Sequence, residues 1–168
     1  KDRIARTQLQ QANEEIDLQR YNEALSTLSL FWAQNPERAD QAQKLIKKIN
    51  QKREEYNKKA KELLAYMSEA ANRLNANYNL EVTRRLEELD SLDRNNPDSK
   101  KTITSLKETS LALVNQDTMK KLMSAGRALI DAGQYVSAAR EYLKGFSLFK
   151  PEFENAGYDE LTSQAVSK

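Results

Sequence analysis

The chain of 168 residues has no cysteine and no histidine. Those absences remove disulfides, thiolate chemistry, the usual zinc sites, histidine-dependent triads and haem attachment. Glycine (four) and proline (three) are scarce, so there is little room for hairpin turns and a β-rich fold is not expected. No apolar run approaches the roughly 18 residues that a membrane span needs, so no transmembrane segment is expected. Charge is nearly balanced, with 27 Lys and Arg against 25 Asp and Glu, which argues against a dedicated nucleic-acid binder. What the sequence does have is leucine and alanine, 40 in all against 10 valines and isoleucines. Both favour helix, and the expected fold class is all-α. A chain beginning at Lys1 rather than Met is expected to be a processed or excised piece.

Pro36, Pro97 and Pro151 each follow an amphipathic run and are expected to mark helix boundaries. Ala5, Leu9, Ala12 and Ile16 recur at helical spacing, as do Tyr21, Leu25, Leu28 and Trp32. With the tight link at 17–20 they predict a helical hairpin, helices 2–17 and 21–34. Residues 37–79 contain neither Pro nor Gly. Ile46, Ile49, Arg53, Tyr56, Ala60, Leu63, Met67, Ala70 and Leu74 form a heptad-like stripe there. One long or bent helix is expected, and a break near Asn57 would instead give two. A short helix follows over 80–93, with Val82, Leu86, Leu89 and Leu92 inward. From Pro97 an apolar face runs through Ile103, Leu106, Ser110 and Leu113, then shifts to Met119, Leu122, Met123, Gly126, Leu129 and Ile130. The shift predicts either a break at 115–117 or one helix whose two ends serve two cores. Gly133-Gln134 closes it. Tyr135, Ala139, Tyr142, Phe146 and Phe149 stripe the next helix, and 151–167 is expected to be a capping helix.

Two segments repeat each other. Tyr21-Asn22-Glu23-Ala24-Leu25 leads to Pro36, and Gly133-Gln134-Tyr135-Val136-Ser137-Ala138-Ala139 leads to Pro151. Both resemble the second helix of a tetratricopeptide (TPR) repeat, with its turn, aromatic, small alanine and following proline. Ala24 and Ala138 sit at that family's small position, and Ala12 and Gly126 at the small position of the first helix. The departures are Gln8 in place of an aromatic, Phe31 in place of a small residue, and a proline one residue late in the last unit. The middle unit is degenerate, with Arg85 at the small position. The resemblance implies one TPR-like domain over 1–168, with hairpins near 2–35, 60–96 and 118–150 and long connecting helices. The chain is also loosely similar to TPR-containing proteins of spirochaete bacteria, some periplasmic and some of the flagellar collar. That likeness implies an extracytoplasmic scaffold.

In TPR proteins the first helices line a concave face that holds a peptide or partner helix. Carried over, the resemblance implies groove positions Arg6, Leu9, Asn13, Ile16 and Asp17 in the first unit. In the last it implies Lys120, Met123, Arg127, Ile130 and Asp131. The charged and amide residues among them are the candidate partner-binding set: Arg6, Asn13, Asp17, Lys120, Arg127 and Asp131. Leu9 and Met123 stand where chaperone-binding members carry lysine, so a two-carboxylate clamp is not expected. Residues 41–62 hold eight Lys or Arg against three Glu. They read chiefly as a solvated face, with an anionic membrane or acidic partner as the other reading. Glu87, Glu88, Asp90, Asp93 and Asp98, like Glu14, Glu15 and Asp17, read as hydrated acids rather than a metal or acid–base site. Phe31 and Trp32 are expected in the core. The functional expectation is a non-enzymatic scaffold with a protein or peptide partner, no cofactor, and self-association possible through its ends. The alternative is a helical spacer without a groove.

Overall fold

The structure is a computed structural model that describes residues 1–155. Among them there are helices and no strand: α1 (Asp2–Asp17), α2 (Tyr21–Gln34), a 3-10 turn (Pro36–Arg38), α3 (Ala39–Ser68), the single turn α4 (Ala70–Arg73), α5 (Tyr78–Leu92), α6 (Pro97–Asp131) and α7 (Tyr135–Asn155). The fold is all-α. Two compact units divide within α6, Lys1–Lys107 and Glu108–Lys168.

In the first unit α1 and α2 form an antiparallel hairpin whose ends fall where the apolar spacing puts them. Ala5, Ala12 and Ile16 face Tyr21, Ala24, Leu28 and Phe31 in one core, joined by Ala42 and Ile49 of α3. The inward stripe of α2 is therefore Tyr21, Ala24, Leu28 and Phe31, not Tyr21, Leu25, Leu28 and Trp32. Including the small Ala24 turns the helix so that Phe31 is buried and Trp32 stays 37% exposed. Leu9 and Leu25 pack half-buried at the margin. Glu15, expected to be hydrated, is buried and accepts a hydrogen bond from the Thr27 hydroxyl (2.7 Å).

The turn after α1 is a Schellman motif. The Gln19 N–H donates to Ile16 O and the Arg20 N–H to Glu15 O, with Gln19 at φ 60°. In the second unit the turn after α6 repeats it: the Gly133 N–H donates to Ile130 O and the Gln134 N–H to Leu129 O, with Gly133 at φ 76°. A glutamine in the left-handed region costs about 1 kcal/mol relative to glycine. Its side chain supplies the compensation. Gln19 Nε2 donates to Ser91 O, and its Oε1 accepts from the Arg94 N–H (3.0 Å). Asn95 Nδ2 donates to Leu18 O, and the Tyr21 hydroxyl to Leu92 O (3.4 Å). The α1–α2 turn is thus tied to the loop between α5 and α6.

α3 buries Ala42, Ile49, Tyr56 and Leu63, one residue per heptad, followed by Met67. The one long or bent helix expected over 37–79 runs through Asn57 without a break but stops at Ser68, where Glu69 turns extended (φ −85°, ψ 120°). Side chains replace the missing glycine or proline. Asn72 Nδ2 donates to Tyr66 O and Arg73 Nη1 to Met67 O, satisfying carbonyls that the helix end exposes. Ala70 and Leu74 consequently fall on the surface rather than in the stripe. Past this reversal α5 returns against α3, with Val82, Leu86 and Leu89 buried and Leu92 half-buried. Tyr66 stacks on Tyr78, and Arg85 lies 4.4 Å over the Tyr66 ring.

Asn96 and Pro97 open α6, the Asn96 Oδ1 accepting the Asp98 N–H (3.0 Å). The helix continues through 115–117 and serves two cores. Ile103, Leu106 and Ser110 are buried in its first half, Met119 and Gly126 in its second. α7 continues past Pro151 to Asn155, so this proline does not end the helix. A ring that removes one N–H leaves the remaining backbone bonds of the turn available. Of the capping helix expected over 151–167, residues from 156 on lie outside the described residues. Met119, Ala138 and Tyr142 form the buried centre of the second unit. A Cβ on Gly126 would stand 2.5 Å from the Tyr142 ring.

Two stability outcomes follow from this geometry. Gln19→Ala is expected to cost about 1–3 kcal/mol, and Gln19→Gly about 1 kcal/mol less because its backbone is unstrained. Wild-type stability for Gln19→Ala in urea unfolding would remove the proposed tie. Gly126→Ala is expected to destabilise, because overpacking against a fully buried ring costs about 1–3 kcal/mol and outweighs a helix gain of about 1 kcal/mol. A raised unfolding midpoint would contradict it.

Candidate functional site

Because α1 packs on α2 and α2 on α3, α1 and α3 lie side by side and leave a groove between their outer edges. It encloses about 730 Å³, lined by Leu9 and Asn13 of α1 and by Gln41, Lys44, Leu45, Lys47, Lys48 and Gln51 of α3. Leu9 and Leu45 are half-buried and form its apolar floor. Asn13 is exposed and donates from Nδ2 to Leu9 O (3.1 Å), which leaves its Oδ1 open to a ligand. Among the described residues no carboxylate lines the groove. A second recess of about 390 Å³ lies along α3, between Trp32, Gln43, Ile46, Asn50 and Glu54. Lys47 and Gln51 border both.

The six candidate partner-binding residues separate into two sets in two different units. Arg6, Asn13 and Asp17 are exposed on α1; Lys120, Arg127 and Asp131 are exposed on α6. Arg6 pairs with Asp2 one turn earlier (3.3 Å), and Asp2 also pairs with Arg38, which holds the Asp2 carboxyl below its ordinary range. Of the six, Asn13 belongs to the groove lining. Sequence reasoning placed one wall and missed the other. Lys44, Lys47 and Lys48 belong to the basic stretch expected to be a solvated face, yet they line the groove with Leu9 and Leu45. The available signal was Leu45, an apolar residue set among lysines one helical turn apart.

The charged cluster between α3 and α5 is occupied by its own partners. Lys59, Glu62, Arg84, Arg85 and Glu88 surround a recess of about 290 Å³. Lys59 pairs with Glu88, and Arg84 with Glu81 (2.7 Å) and Glu88 (3.5 Å); Arg85 also reaches Glu81 (2.8 Å). The Lys59 hydrogen bond lowers the Glu88 carboxyl, and Glu88 in turn raises the Lys59 ammonium. Asp93, expected to be hydrated, is buried. Its Oδ2 accepts from the Ser99 hydroxyl and from Asn96 Nδ2, bracing the start of α6. Nearby, burial pushes the Tyr21 and Tyr56 phenols up, with the Asp93 charge adding to both. They stay protonated donors, and the Tyr56 hydroxyl donates to Ser99 O (3.0 Å). Among the described residues no three His, Cys, Asp or Glu group as a metal site, and no helix is long and apolar enough to cross a membrane.

Hydrogen bonds from Arg84 and then Arg85 hold the Glu81 carboxyl down at about 2, from an ordinary 4.5. The folded value lies below the unfolded one, so the stabilisation is complete above the unfolded pKa and is lost as pH falls through the folded one. Urea-unfolding midpoints are expected to fall as pH drops from about 5 to about 2, with a shallower fall in Glu81→Gln. Identical pH slopes for wild type and variant would contradict this account. No protein-family model matches the chain, and no curated protein or solved structure matches it.

Proposed function

We propose that this protein is a non-enzymatic interaction scaffold of TPR-like hairpins that holds a peptide or partner helix in the groove between α1 and α3. The observation that carries the reading is the groove itself: about 730 Å³ of open space floored by Leu9 and Leu45 and edged by Asn13. One wall, α1 with Leu9 and Asn13, is the helix that the TPR resemblance assigns to the concave face; the other, α3 over 41–51, is not assigned by it. A spacer would need only a uniformly charged surface, whereas here half-buried leucines meet hydrogen-bonding groups in a concavity. The TPR likeness draws support from the two hairpins. Each has a Schellman turn with a left-handed residue at the same repeat position. Each buries small residues at the helix contact, Ala12 and Ala24 in one, Gly126 and Ala138 in the other. A place in an extracytoplasmic assembly, such as a periplasmic flagellar structure, belongs to the same proposal and rests on the sequence resemblance.

The test is capture from native cell extract with wild type and a Leu9→Glu/Asn13→Ala variant as parallel baits. A specific protein held by wild type and released by the variant supports groove recognition. A partner held equally by both places the interface elsewhere, and an absence of any specific partner leaves the spacer.

A further inference from the structure

We propose that the occupant of the α1–α3 groove is an acidic amphipathic segment of a partner protein; this rests on the groove reading and adds the chemistry of what fills it. Lys44, Lys47 and Lys48 follow one another within about one turn of α3, so Lys44 and Lys48 stand about 6 Å apart along the axis. That spacing meets carboxylates one turn apart on a partner helix. Among the described residues none of the three forms an ion pair. Lys59, on the same helix, is by contrast taken up by Glu88. The groove therefore presents three uncommitted ammonium groups with no carboxylate in its lining. Beneath them Leu9 and Leu45 offer an apolar floor for an aliphatic side chain, and the Asn13 amide is placed to meet a backbone or side-chain N–H.

Charge and shape together select this partner over other anions. An anionic bilayer is met best by lysines that project from a convex face, whereas these rim a recess. A single-stranded nucleic acid calls for aromatic platforms among the cations, and no aromatic side chain lines the groove. Trp32 is the one tryptophan of the chain. It borders the adjoining recess, which shares Lys47 and Gln51 with the groove, so it serves as a nearby probe beside the label on the peptide.

The experiment uses labelled synthetic peptides that share one leucine pattern and carry Glu, Gln or Lys at the polar positions. Phosphatidylserine vesicles are titrated in parallel. The Glu peptide is expected to bind, with a shift in Trp32 emission, and to weaken as salt shortens the Debye length. The Gln peptide is expected to bind at least about tenfold more weakly, and Lys44→Glu/Lys48→Glu to weaken the Glu peptide by about tenfold or more. Lys44→Gln/Lys48→Gln, which adds no repulsion, should give a smaller loss in the same direction. Equal binding of Glu and Gln peptides, lost in Leu9→Glu, would overturn the acidic assignment and keep the groove. Binding to vesicles but to none of the peptides would replace the protein partner with a membrane. Binding of neither peptides nor vesicles would overturn this assignment, and the capture experiment with Leu9→Glu/Asn13→Ala separately decides the groove reading.

Discussion

Two helices can approach closely only where the side chains between them are small, and this constraint governs both hairpins. At the contact in the first unit stand Ala12 and Ala24, both fully buried; in the second stand Gly126 and Ala138. The two cores differ by an exchange of volume. Leu28 in the first hairpin has Tyr142 as its counterpart in the second, and Ala12 has Gly126. The ring of Tyr142 lies where a Cβ on residue 126 would be, so the methyl is given up where the larger side chain is taken in. Close approach also demands a short reversal, met each time by one left-handed residue and a pair of Schellman hydrogen bonds. The orientation of α1 on α2 follows, and with it the edge that presents Leu9 and Asn13.

The groove depends on how α3 is held as well. Its buried residues recur every seventh position, so one face is committed to α2 and α5 along the helix. Lys44, Lys48 and Gln51 fall away from that face and remain available to line the groove. Rotation of α3 is opposed at two places along its length. Ala42 and Ile49 are locked into the core of the hairpin, and Tyr56 reaches the first turn of α6 through Ser99. The Lys59–Glu88 ion pair and the Arg85–Tyr66 contact hold the α3–α5 pairing from outside. A surface built this way presents its cations from a braced helix, so the backbone that carries them needs no ordering on binding.

Helix positions were legible wherever the local code was complete. α1 and α2 carry full apolar stripes and a short link, and Asn96-Pro97 spells a helix start. The shift of the apolar face along α6 already contained the two-core alternative. Where ends depend on side chains from further along the chain, the local code is silent. α3 stops because Asn72 and Arg73 fold back onto its last carbonyls, and nothing between 37 and 79 advertises that stop. The Phe31–Trp32 choice was equally hidden, since a one-residue rotation of α2 satisfies either stripe until the small Ala24 is seen against α1. Of the groove, Leu9 and Asn13 could be placed through the repeat pattern. The lysine wall could not, because a basic helix face looks the same in sequence whether it meets water or overlooks a recess.

The amino-acid sequence by itself determined the fold class, the first hairpin, the small positions and the chemistry this chain lacks. Each of these follows from composition or from spacings within a few turns. Tertiary structure alone decided which of the adjacent aromatics is buried, that Glu15 and Asp93 are interior acids with partners, and that Lys44, Lys47 and Lys48 share a concavity with Leu9 and Asn13. Those outcomes depend on residues brought together from distant parts of the chain. Burial and charge pairing are set by the distance in space between groups, which helical periodicity does not encode.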